Sequence, residues 1–107
     1  MSKKKIYNKH LEKGRFYIHS DRNGGHPALL YKKIDKKNKY YVVVFTSSSG
    51  KRRTKLKHSI EPIKVKTSYI QNMPAVAKRN ELGRKTLNRL HIHKDDKPLV
   101  KLIEKKK

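Results

Sequence analysis

Gly50-Lys51-Arg52-Arg53-Thr54-Lys55-Leu56-Lys57 places five cations in the seven residues from Lys51 to Lys57. A loop and emerging strand of that composition can follow a phosphate backbone, and each Arg presents a planar fork that grips phosphate through two hydrogen bonds. The plainer reading is a solvated loop. Lys78-Arg79, with Arg84-Lys85 and Arg89, forms a second basic cluster. Ser47-Ser48-Ser49 reads as a turn whose hydroxyls and backbone N–H groups can also hold a phosphate. His91-Ile92-His93 alternates so that both imidazoles reach one face of a strand, beside Asp95 and Asp96. With no cysteine to complete a ligand set, this pattern falls short of a zinc site, and neither metal nor cofactor is expected.

The elements that must position these groups are mostly strands. After Gly14, residues 15–19 are rich in β-formers and lead into Asp21-Arg22-Asn23-Gly24-Gly25, where Gly and Asn supply the positive φ of a turn. Residues 27–34 predict a second strand, with Pro27 at its start, where a missing N–H costs least. Residues 40–45 are β-branched or aromatic without interruption, too apolar on both faces for an exposed edge, and predict the central strand. Residues 54–60 alternate, with Leu56 and Ile60 on one side and Lys55 and Lys57 on the other, which predicts a half-buried strand with a basic face.

Further along, Ile63 and Val65 carry a shorter alternation, and residues 69–70 and 74–77 suggest short strands. Asp95 or Asp96 is placed to cap a helix opened by Lys97-Pro98, with Leu99, Leu102 and Ile103 at helical spacing. Residues 81–90 are a second helical candidate, weakened by Gly83. The expected organisation is a basic arm over residues 1–13 and one small β-barrel domain with a C-terminal helix over residues 14–107.

Charge sets the partner class. Lys and Arg number 30 against 8 Asp and Glu in 107 residues, a formal net charge of +22. Solubility alone is met by a magnitude of roughly 2 to 8. Self-repulsion on this scale opposes folding, so a polyanion, nucleic acid, is the expected partner. An anionic membrane would need an amphipathic helix with a bulky apolar face, and residues 2–13 offer only Ile6, Tyr7 and Leu11. There is no apolar run of about 18 residues and no secretory leader pattern, so a cytoplasmic protein is expected. Walker, dinucleotide, zinc-finger and RRM signatures are absent from the sequence.

The order Gly14-Arg15, then Gly24-Gly25-His26-Pro27-Ala28-Leu29-Leu30, then Val42-Val43-Val44-Phe45-Thr46-Ser47 resembles the MazF/PemK-like family of toxin endoribonucleases over roughly residues 14–60. The resemblance implies an SH3-like β-barrel with a C-terminal helix, commonly a homodimer with its RNA groove across the subunit interface. It also implies metal-independent cleavage by attack of the 2′-hydroxyl on the adjacent phosphate. It places catalytic work on the Thr that ends the third strand, here Thr46, and on the residue before Pro, where the family has Arg and this chain has His26. Histidine offers proton transfer near neutral pH but lacks the permanent charge and forked donors of Arg. Arg22, Arg52 or Arg53 would then supply that charge.

The simpler reading of His26 is a loop histidine, and of Thr46 a strand-end residue bonded to a turn. The expected nucleic-acid-binding residues are Arg15, Arg22, Lys51, Arg52, Arg53, Lys55, Lys57, Lys78, Arg79, Arg84 and Lys85. Tyr31, Tyr40 and Tyr41 lie near cations and offer stacking surfaces for bases, although core packing explains Tyr41 and Phe45 more simply. The expected function is nucleic-acid binding, RNA favoured over DNA, in a possible endoribonuclease toxin with an acidic antitoxin. The alternatives are a noncatalytic module of a phage or mobile element that blocks a nucleoprotein complex by occupancy, and a ribosome-associated protein.

Overall fold

The computed structural model describes residues 11–21, 24–34, 38–58, 60, 69–83 and 91–107, with Asp21 and Gly24 described by backbone alone. Its strands are β1 (Phe16–Asp21), β2 (Gly24–Ile34), β3 (Lys39–Thr46), β4 (Arg53–Lys55), β5 (Tyr69–Gln71) and β6 (Ala75–Lys78). A 3-10 turn, Arg79–Glu81, follows β6, and one α-helix, α1 (Lys97–Glu104), lies near the C-terminus.

The strand expected at the centre is there. β3 pairs antiparallel with β2 along one edge and divides its other edge between β6, opposite Lys39 to Val42, and β5, opposite Phe45 and Thr46. Its uninterrupted apolar run is explained by burial on both sides. Val43 and Phe45 join Phe16, Leu29, Ile70 and the helix residues Val100 and Ile103 on one face. Tyr40, Val42 and Val44 join Tyr17, Ala28, Leu30, Ala77 and Leu82 on the other. Strands with two buried faces lose the polar alternation, and the hydrophobic stabilisation per residue is correspondingly high, roughly 1.5–3 kcal/mol for each large side chain.

The sheet is antiparallel and mainly β in content, but among the described residues it stays open, in the order β1-β2-β3-β5-β4 with β6 also on β3. A bridge between His19 and Leu82, with Gly83 N–H donating to the Ile18 carbonyl at 2.7 Å, draws the segment after β6 across to β1. No helix among the described residues is long and apolar enough to cross a membrane.

Several boundaries differ from expectation for identifiable reasons. β2 begins at Gly24, so Pro27 lies inside the strand, opposite Ile18. Leu30 N–H donates to the carbonyl of Arg15, just before β1, so by alternation position 27 faces away from β1, where pairing with β3 starts only at Ala28. A proline there forfeits no ladder bond. Gly25 likewise sits in the strand, and a Cβ on it would stand 2.6 Å from Ile18 Cγ2, so close packing rather than a turn demands glycine.

The strand expected over residues 54–60 ends at Lys55. Leu56 and Ile60 are nonetheless buried and Lys55 and Lys57 exposed, because the buried carboxylate of Asp96 accepts the next backbone N–H groups: Oδ1 takes that of Lys57 at 2.8 Å and Oδ2 that of His58 at 2.9 Å. Asp96 thus precedes α1 without capping it through its side chain. Of the second helical candidate, residues 81–90, only Glu81, Leu82 and Gly83 fall within the described residues, with Glu81 ending the 3-10 turn. Ile63 and Val65 lie outside them.

Candidate active site

The face of the sheet that carries Tyr17, Ala28 and Val44 in its core becomes polar two residues further along each strand. His19 follows Tyr17 on β1, His26 precedes Ala28 on β2, and Thr46 follows Val44 on β3. Successive side chains alternate between faces, so all three belong to the same face. His19 stands directly opposite His26, and the Ala28–Val44 register carries His26 toward Thr46. β5 and β4 continue the row: Thr46 pairs with Tyr69, and Gln71 with Arg53.

These residues line one pocket of about 340 Å³, formed by His19, His26, Val44, Thr46, Ser48, Arg53, Gln71 and Ala75. Thr46 is buried, and its Oγ1 accepts the Ser48 backbone N–H at 3.3 Å, which leaves the hydroxyl hydrogen to be donated. Arg53 Nη1 donates to the carbonyls of Ser48 at 3.0 Å and Ser49 at 3.4 Å, so the guanidinium and the serine turn hold one another. His19 is also buried, with its Nε2 3.6 Å from Oε1 of Glu81. That same oxygen accepts the Lys78 backbone N–H at 2.8 Å, which fixes the carboxylate in front of the ring.

A second pocket of about 590 Å³, lined by Lys51, Arg52, Arg53, Gln71, Asn72, Met73 and Pro74, shares Arg53 and Gln71 with the first. The basic segment therefore borders the histidine pocket. Lys51, Arg52, Lys55 and Lys57 are exposed, while Arg53 is half-buried.

The other expected binding residues are placed differently. Lys78 pairs with Lys39 at the far end of β3 from Thr46, on the order of 20 Å away for a strand of this length. Arg79 follows it, its N–H donating to the Asn38 carbonyl. Arg15 is ion-paired with Glu12. Arg22, Arg84 and Lys85 lie outside the described residues. Tyr40 is core, and Tyr31 and Tyr41 stack on one another at 6.3 Å, on the face that carries Val43 and Phe45. The tyrosines therefore do not line the pocket.

Sequence reasoning missed His19, although its position two residues beyond a core tyrosine carried the signal. Gln71 and Glu81 had none, since only pairing brings them in. The two histidines read as a pair also separate: His93 stacks on His58 at 3.7 Å and approaches Asp95, while His91 lies outside that group.

Two imidazoles, a hydroxyl and a guanidinium around one pocket can transfer protons and stabilise a pentavalent phosphate without a metal. Comparison of this chain with protein-family models, with curated proteins and with solved structures finds no match.

Proposed function

We propose that this protein is a cytoplasmic RNA-binding endoribonuclease of the MazF/PemK-like type, its sheet belonging to an SH3-like barrel, and that it acts as a toxin whose basic surface an acidic antitoxin masks. The observation that supports the reading best is the row His19–His26–Thr46 with Arg53, bordered by the Lys51 to Lys57 segment. RNA is favoured over DNA because a 2′-hydroxyl gives this set a nucleophile.

In the proposed reaction, His26, the more exposed imidazole, takes the 2′-hydroxyl proton as that oxygen bonds to the adjacent phosphorus. The bond from phosphorus to the 5′-oxygen breaks, and the leaving oxygen takes a proton from His19, whose charged form has Glu81 as its partner. Arg53 and the Thr46 hydroxyl stabilise the extra charge on the phosphorane. The products are a 2′,3′-cyclic phosphate and a 5′-hydroxyl. In this arrangement histidine replaces the family's arginine before Pro27, and Arg53 on β4 supplies the guanidinium.

Incubating the protein with mixed RNA in EDTA tests this. Cleavage with cyclic phosphate ends is expected, falling about 10²- to 10⁴-fold in His26→Ala and in His19→Ala. RNA that stays intact from pH 5 to 8 overturns the catalytic reading. The charge excess favours a second reading in that event: the same surface binds RNA or a nucleoprotein complex and acts by occupancy.

A further inference from the structure

His58, beyond β4, and His93 and Asp95, in the turn before α1, converge although the two segments are far apart in sequence. His58 Nε2 lies 3.0 Å from Asp95 Oδ2, and His93 Nδ1 lies 3.6 Å from the same oxygen. The imidazole centroids are 3.7 Å apart with planes 25° from parallel. One donor atom from each residue lies within 4.8 Å of the other two. Donors bound tetrahedrally to zinc at about 2.0–2.1 Å stand roughly 3.3 Å from one another. The two separations from Asp95 Oδ2, 3.0 and 3.6 Å, straddle that spacing.

Two further features prepare the group. The buried Asp96 carboxylate clamps the backbone of Lys57 and His58, which holds the His58 segment against the segment carrying His93 and Asp95. Nδ1 of His93 accepts the Asp95 backbone N–H at 3.1 Å, which keeps that nitrogen unprotonated, as a metal ligand must be. Metal binding takes over this lone pair and replaces the 3.0 Å contact between His58 and Asp95. Two imidazoles and one carboxylate are the donor set of zinc and of the neighbouring late transition metals.

We propose that His58, His93 and Asp95 form a zinc(II) site, with solvent in the fourth position, that fastens the end of the basic segment to the start of α1. The group is separate from the histidine pocket, so the metal takes no part in the RNA chemistry and cleavage in EDTA remains compatible with it.

The test uses the full chain without an affinity tag, titrated with zinc chloride by calorimetry and with cobalt(II) by visible absorption at pH 7.5. One equivalent should bind, the cobalt spectrum should show an intense band from a four-coordinate ion, and zinc should raise Tm. His58→Gln, His93→Gln and Asp95→Asn should each weaken binding at least tenfold while circular dichroism stays unchanged, and His91→Gln should bind like the parent. Binding should weaken as the pH is lowered, because protons compete with zinc for the ligand atoms. Absence of binding at 100 µM zinc, or binding that survives all three substitutions, overturns the proposal.

Discussion

Oδ1 of Asp96 accepts the backbone N–H of Lys57 at 2.8 Å, joining residues 39 apart in sequence. With the His58 N–H on Oδ2, this single buried carboxylate takes up two backbone donors just past the end of β4. Hydrogen bonds to a charged group are worth about 1.5–3 kcal/mol each, and leaving the donors unmade carries its own penalty. Asp96→Ala is therefore expected to destabilise the protein by about 3 kcal/mol and to lower Tm by roughly 10 °C or more. Asp96→Asn, which keeps one acceptor oxygen, should lose about half as much. Thermal or urea denaturation followed by circular dichroism measures both, and an Ala variant as stable as the parent would show that solvent serves these N–H groups equally well.

Tyr31 presents the opposite situation: its hydroxyl is buried without a hydrogen-bond partner among the described residues. Burial first, then the charges of Glu104 and Tyr41, push its phenol up to about 12. The neutral form is the one the fold accepts, so this contribution to stability is fully present below pH 10 and is lost as pH rises through 12. Tyr31→Phe removes the unpaired hydroxyl and should be neutral to about 1 kcal/mol more stabilising at pH 7. The variant's advantage over the parent should then grow between pH 10 and 12. Urea midpoints of the two proteins at pH 7, 9 and 11.5 check this, and an advantage that shrinks with pH would contradict it.

Arg53 and Gln71 are shared by the histidine pocket and the basic pocket, so under the proposed function an RNA strand in one continues into the other. Each phosphate contact removed should lower the salt slope of binding by about one. The double variant Lys51→Ala with Arg52→Ala is expected to reduce the slope by about two and to weaken binding to all sequences alike. Lys78→Ala, at the other end of β3, should change it by less than half as much. Fluorescence anisotropy with a short labelled RNA at several salt concentrations measures the slopes. Equal effects from the two sites would place the RNA along the whole length of β3 instead.

The β-rich class, the central strand and the helix opened by Lys97-Pro98 were legible in the sequence because each rests on a local pattern. Residues 40–45 have no polar alternation because both faces of β3 are buried, and Leu99, Leu102 and Ile103 repeat at helical spacing. Even there packing refined the reading: Val100 and Ile103 face the core and Leu102 stays exposed. The strand beyond Lys55 was misplaced because its alternation is real while its hydrogen bonds go to a distant carboxylate. Alternation reports burial, and the partner of a backbone N–H leaves no local trace.

The site divides the same way. Composition set the expectation of a polyanionic partner, since +22 is a property of the chain however it folds. His26, Thr46 and the Lys51 to Lys57 segment could be singled out by type and order. That His19 faces His26, that Thr46 continues their row and that Arg53 closes the pocket were decided by strand register, as the bridge from Leu82 to His19 decided that Glu81 stands before His19. A register shift of one residue would turn each of those side chains to the opposite face, so their meeting depends on pairings between distant segments that no local signal encodes.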